Sequence, residues 1–393
     1  MHRARLFFRL FLLLATWFAV CGAALGRAER DLGSPTRREF QRRGESAASK
    51  DVASKDAASK DTASKDAASK DTASEDAAPK DAALASFQRP LCRLETRLFA
   101  DAADGRWDEF SLLGAALVAS GVEDLATLRH YQRRQEGLIG ELQNSGRLTG
   151  GPRHRAEVVF EFMHQHVFDG GYQIDATDLR VALDRGRFNC VSASVLFGCL
   201  AGEIGLEVRG LEAPGHVMSR VILPDGPLDV ETTCPTWFRL VHDPKRRAQA
   251  VEKTIGRDPS KSPSQPRQVS PVEMIAMIYY NRGVDLLAQR QFEQAAVANA
   301  KALRLDAAST TARGNLLATI NNWAIALGGL GRYAEAADLL RQGLALEPHY
   351  ETLSLNYAHV HRQWISHLMA SGHRGKADQM VQEALDDPYL HRQ

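Results

Sequence analysis

Cys190, His216 and a carboxylate at Glu231 or Asp229 are the residues whose types and order suit covalent chemistry. Cys190 lies in Arg187-Phe188-Asn189-Cys190-Val191-Ser192-Ala193-Ser194, which reads as the opening of an apolar helix. His216 follows Pro214-Gly215 and opens a strand, and Leu228-Asp229-Val230-Glu231-Thr232-Thr233 reads as the next strand. A thiol at a helix N-terminus meets unpaired backbone N–H groups and the positive end of the helix dipole, both of which favour the thiolate. A neighbouring imidazole takes the thiol proton and a carboxylate orients the imidazole, the three-part arrangement of acyl transfer through a thioester. The same N–H groups can later hold an oxyanion.

Two carboxylates compete for the third role, because Asp229 and Glu231 share one strand face. A hairpin centred between Leu223 and Pro224 puts Glu231 opposite His216, whereas a centre between Ile222 and Leu223 puts Asp229 there. The turn formers Pro224, Asp225 and Gly226 lie beyond both centres, which favours Glu231 and keeps Asp229 in reserve. Either acid has a plainer use as the cross-strand partner of Arg220.

The surrounding pattern predicts helices over residues 107–117, 122–142, 155–167 and 175–183, then one over 190–204 capped by Asn189 and stopped at Gly205. Strands are predicted over 207–211, 216–223 and 228–233. His164 and His166, two apart on a predicted helix, point to different faces and do not form a metal pair.

These motifs resemble a transglutaminase-like domain, on the residues from about 158 to 235. The matching features are Arg185-Gly186-Arg187, the small-residue-rich helix from Cys190 to Gly205-Leu206, and Pro214-Gly215-His216. The second core subtype of that superfamily, bacterial proteins that often carry tetratricopeptide repeats downstream, is the most similar. Many of its members have Pro after the Asn, where this chain has Cys190, as the catalytic pattern does. Glu231-Thr232-Thr233 stands where Asp-Pro-Thr is usual. The resemblance implies an α+β, papain-like thiol core with Cys190 as nucleophile.

The C-terminal third repeats itself. Ala295, Ala336 and Ala377 recur at an interval of 41, as do Leu286, Leu327 and Leu368. Tyr279 to Asp306, and then Asn322 to Pro348, resemble tetratricopeptide repeats. The usual period is about 34, so the later units are expected to have first helices two turns longer. The third unit lacks the aromatic at Arg374 and reads as a cap.

The N-terminus reads as an export signal: Arg3 and Arg5, an apolar run over residues 10–25, and small residues at Ala24-Leu25-Gly26. Cleavage gives a secreted or periplasmic protein; without it the segment is a membrane anchor. Five-residue units such as Ala-Ser-Lys-Asp-Thr then recur from about residue 46 to 83, too polar to bury a core. The expected organisation is therefore a signal peptide (1–26), a disordered low-complexity linker (27–86) and a transglutaminase-like domain (87–243). A second linker (244–271) and an all-α tetratricopeptide-like array (272–393) follow.

Lys and Arg number 49 against 48 Asp and Glu in 393 residues, which gives no reason to invoke nucleic acid. Five cysteines form no Cys-x-x-Cys pair, and neither a metal nor an organic cofactor is indicated. With Cys21 in the N-terminal run and Cys190 reserved as nucleophile, three cysteines leave at most one intramolecular disulfide. Two functions stand open. One is an exported thiol enzyme that cuts or transfers an amide of a protein or peptide substrate. The other is an inert core whose helical array binds a protein partner.

Overall fold

The computed structural model describes residues 77–256 and 265–390. The signal peptide and most of the pentapeptide linker expected before residue 87 lie outside the described residues. The chain is mixed α+β, with small sheets and a helical C-terminal region.

Helices come first: α1 (Ala77–Ala85), α2 (Arg93–Asp101), α3 (Leu112–Ala119), α4 (Leu125–Asn144) and α5 (Pro152–His166). The strand β1 (Gly171–Tyr172), α6 (Leu179–Arg185) and β2 (Arg187–Phe188) lead into α7 (Cys190–Glu203). β1 and β2 pair in parallel. Next come β3 (Glu207–Ala213), β4 (His216–Ile222) and β5 (Leu228–Val230), then α8 (Pro244–Ile255) and β6 (Arg267–Val269).

At the centre is α7, buried from Cys190 through Ala201. A helix apolar on every side must be covered on every side. α7 packs against α3, α5, β3, β4 and the array behind it, and small residues (Ala193, Ser194, Gly198) let these neighbours approach. Its start is fixed by a capping box: the Asn189 side chain accepts from the N–H groups of Val191 and Ser192, and Ser192 Oγ accepts from Asn189 N–H at 3.0 Å. Asn189 Nδ2 donates to Thr177 Oγ1 and to the Ile174 carbonyl, which ties the cap to the loop before α6.

The antiparallel sheet runs β5-β4-β3-β6. Pro214-Gly215 makes a two-residue turn that pairs Ala213 with His216, and Gly215 takes the positive φ of 63° it needs. At the opposite edge Gly210 pairs with Val269. A Cβ at Gly210 would lie 2.5 Å from Val269 Cγ2 and 2.9 Å from Met274 Cγ, so glycine is what lets β6 and the next helix close on the sheet.

The remaining helices are α9 (Pro271–Ala288), α10 (Phe292–Leu305), α11 (Thr310–Gly329), α12 (Tyr333–Leu346), α13 (Glu351–Ala370) and α14 (Arg374–Asp386). They form three helical hairpins whose second helices start at Phe292, Tyr333 and Arg374, the interval read from the sequence. Ala295, Ala336 and Ala377 are fully buried where helices meet. α11 and α13 have 20 residues each, and α9 has 18. In α14 only Ala377 and Met380 are buried, as suits a terminal unit.

Three sequence expectations need correction. The segment 244–271, expected as a linker, holds α8 and the edge strand β6. Its many Lys, Arg and Pro residues mislead because α8 buries only Val251 and Ile255, exposes Lys245, Arg246 and Lys253, and lays Arg247 over the Trp237 ring. The linker expected to reach residue 86 ends in α1, which packs on α12, and Ser86, just beyond α1, bonds through Oγ to Gln342 Oε1 at 2.8 Å. The helix expected over 107–117 begins only at Leu112, with Ser111 as its cap.

The array is joined to the sheet through one core. α9 packs on α3, α7 and β3. Arg267 on β6 bonds Glu212 on β3 at 2.8 Å, Glu273 on α9 at 3.1 Å, and Asp306 after α10. Glu95 on α2 meets Lys301 Nζ at 2.6 Å and Tyr279 Oη at 3.1 Å. Arg267→Met would strand Asp306, 3% exposed, and Glu212, 12% exposed at their side chains, without their cation. The expected loss is about 2 kcal/mol, below the figure for a fully buried pair because solvent reaches a third of Arg267. The denaturant midpoint reads it, and an unchanged midpoint would mean that the array does not lean on this junction.

Candidate active site

The structure brings Cys190, His216 and Glu231 together and leaves Asp229 outside. Cys190 is the first residue of α7, His216 the first of β4, and Glu231 the first residue beyond β5. His216 Nε2 lies 2.6 Å from Glu231 Oε2, with both side chains 1% exposed. Nδ1 is then the ring nitrogen left to face the Cys190 thiol, whose pKa the imidazole and the Val217 N–H both lower.

The other oxygen of Glu231 is also occupied. Oε1 accepts from Thr233 N–H at 3.1 Å and from Thr233 Oγ1 at 2.6 Å. A buried carboxylate needs such partners to remain ionised. Burial alone would raise its pKa, but the His216 charge, the bond to His216 and the Thr233 bonds hold it below the ordinary carboxylate value.

His216 responds in the opposite sense. Burial disfavours its charge, yet Glu231, and then the Cys190 sulfur, raise its pKa well above the ordinary histidine value. Burial likewise opposes the Cys190 thiolate, and the bond and charge of His216 overcome it, lowering the thiol pKa. All three shifts act in favour of a thiolate–imidazolium pair with an ionised carboxylate behind it. Cys199, in the same helix without such a partner, is raised far above an ordinary thiol by burial.

The preference for Glu231 matches the geometry, but the ladder used to reach it is off by one step. β4 and β5 pair Ser219 with Val230 and Arg220 with Asp229, so the hairpin centres between Pro224 and Asp225. On that register Glu231 faces past Met218, not His216. The carboxylate reaches the imidazole because β5 ends at Val230 and the chain turns, with Cys234 N–H bonded to the Glu231 carbonyl at 3.2 Å. Asp229 pairs with Arg220 at 2.6 Å on the partly exposed face.

Several supporting residues carried no sequence signal of their own. Thr232 Oγ1 shares a hydrogen bond with Ser194 Oγ at 2.9 Å, fastening the turn to α7. His164 Nε2 lies 3.1 Å from the Thr232 carbonyl. Burial pushes the His164 pKa down to about 4, so the ring is neutral and its Nε2–H donates to that carbonyl. His164 therefore braces the turn from α5, among Phe160, Phe168 and Phe188.

A cavity of about 20 Å3 opens on the thiol, little more than the roughly 10–15 Å3 that one water needs. Cys190, Gly215, His216 and Val217 line one side; Tyr280 and Asn281 of α9 and Thr311 and Asn315 of α11 line the other. The array residues lie about 65 to 125 positions beyond His216 and Cys190 in sequence, past the segment expected as a linker, so spacing does not assign them to the site. Their signal was the placing of Asn281 and Asn315, polar residues 3% and 5% exposed, on apolar helix faces.

Cys92, Cys190, Cys199 and Cys234 are all free. Among the described residues no cluster of His, Cys, Asp and Glu could hold a metal, and no helix is long and apolar enough to cross a membrane. The chain matches no protein-family model, no curated protein and no solved structure.

Proposed function

We propose that this protein is an exported, transglutaminase-like thiol enzyme that acts on an amide of a protein or peptide, with a tetratricopeptide-like array built into its site. The buried His216–Glu231 pair, bonded at 2.6 Å, with His216 and Cys190 lining one cavity, carries this reading. A cysteine that merely fills space has no need of an imidazole, and an imidazole has no need of an ionised carboxylate held by three hydrogen bonds. In the proposed reaction Cys190 forms the thioester, His216 carries the proton, and Glu231 orients the ring. Water or an amine then releases the acyl group. The N-terminal segment supplies the export part of the proposal, with membrane attachment as the outcome if that segment stays uncleaved.

A second reading has an observation of its own. Cys190 is only 7% exposed, which suits an inert core whose array binds a protein partner. Labelling of the mature protein with a fluorescent iodoacetamide separates the two. The enzyme reading expects Cys190 to be labelled at neutral pH faster than the partly exposed Cys92, with that fast label lost in Cys190→Ser; a wild-type Cys190 that stays unlabelled favours the scaffold.

A further inference from the structure

We propose that Asn315, carried by α11 of the helical array, is a substrate-binding residue of the thiol site, its Nδ2 donating to the carbonyl oxygen of the acyl group that Cys190 attacks. This rests on reading Cys190 as a nucleophile.

Asn315 borders the same cavity as Cys190 and His216 and is 5% exposed. Its Nδ2 is buried with no hydrogen-bond partner among the described residues. Buried amide donors are rarely left open, and one facing a reactive thiol calls for an acceptor that arrives with the ligand. A second donor belongs to Cys190, another residue of the same lining. The Asn189 side chain takes the N–H groups of Val191 and Ser192 but not that of Cys190, which at the first position of α7 has no acceptor within its helix. Apart from His216, the lining has no ionisable side chain besides Tyr280 and the thiol itself. An uncharged carbonyl therefore fits the donors better than a carboxylate or phosphate, whose charge would find only the His216 imidazolium, already met by Glu231. The space admits an oxygen and its carbon but no bulky side chain.

The thiolate adds to the carbonyl carbon, an S–C bond forms, and the π pair moves onto oxygen, where the Asn315 amide and the Cys190 N–H receive it. The tetrahedral adduct collapses with loss of the amine, which takes its proton from the His216 imidazolium, leaving a thioester. Water attacks, gives a proton to His216 and expels the thiolate, releasing a carboxylic acid.

The test compares two reagents on the full mature chain. Iodoacetamide alkylation reads thiolate formation and builds no oxyanion. p-Nitrophenyl acetate acylates the thiol through an oxyanion and releases p-nitrophenolate. Asn315→Leu, close in volume, is expected to acylate about 100-fold more slowly while alkylation changes less than about threefold. Equal acylation by wild type and variant overturns the role of Asn315 and leaves the thiol-enzyme reading intact. A wild type whose Cys190 neither alkylates nor acylates overturns both. If Asn315→Leu does not fold, the wild-type adduct with acetylglycinal decides: its thiohemiacetal oxygen is expected within hydrogen-bonding reach of Asn315 Nδ2, and an oxygen turned away from it overturns the proposal.

Discussion

Replacing His216 by alanine is expected to slow iodoacetamide alkylation of Cys190 at pH 7 by on the order of 100-fold. The cause is the balance at the sulfur. Burial works against the thiolate, and the bond and charge of His216 outweigh it, placing the thiol pKa below its ordinary 9.0. Without the imidazolium, burial remains as the largest influence, opposed only by the Val217 N–H and the helix N-terminus, so the thiol pKa is expected to rise past 9.0. A thiol pKa that moves from below that value to above it cuts the thiolate present at neutral pH, and alkylation falls with it. The pH profile fixes the sign: wild-type alkylation titrates below pH 9.0 and the variant's above it. Turnover of an amide carries a second limb, because His216 must deliver a proton to the departing amine. Its pKa is raised above 6.5, so that limb lies on the alkaline side of the ordinary histidine value. Coincident alkylation profiles for the two proteins would mean that the imidazole does not govern the sulfur.

Much of this site could be read from the sequence, because its parts are local. Asn189 before an apolar run gives a capped helix with Cys190 first, and Pro214-Gly215 gives a tight turn with His216 first beyond it. Turn chemistry fixes both positions to within a residue. Glu231 was chosen from a register argument that assumed a strand through Thr233, whereas the ladder stops at Val230 and a turn supplies the reach. Periodicity gave the interval of the array but not its docking. The junction depends on Arg267 meeting Glu212, Glu273 and Asp306 from three separate elements, and charged residues far apart in sequence carry no mark of their pairing. For the same reason Asn315 was invisible as part of the site: its burial beside Cys190 exists only once α9 and α11 have closed over the thiol.

Glu231→Gln and Asp229→Asn, one charge each and two residues apart, should differ by orders of magnitude. Glu231 is buried against His216 with side chains 1% exposed, whereas Asp229 and Arg220 are 37% and 25% exposed. Exposed pairs contribute about 1 kcal/mol at most, so Asp229→Asn should leave acyl transfer and stability nearly unchanged. Removing one member of a buried pair costs about 3–5 kcal/mol, and glutamine, which keeps a hydrogen-bonding oxygen, should fall near the lower end. Catalysis should drop by about 10^3–10^4, since the neutral amide neither stabilises the imidazolium nor holds the proton on the correct nitrogen. The pH dependence adds an independent check. The Glu231 pKa is lowered from 4.5, so its contribution to stability is complete above 4.5 and is lost as pH falls through its folded value. That of His216 is raised from 6.5, so its contribution is complete below 6.5 and is lost as pH rises through its folded value. Both are complete only between pH 4.5 and 6.5, where the stability gap between wild type and Glu231→Gln should be widest. Denaturant titrations across that window test it; a gap independent of pH would show that Glu231 and His216 do not act as an ion pair, and Asp229→Asn matching Glu231→Gln in rate would move the orienting role to the other strand position.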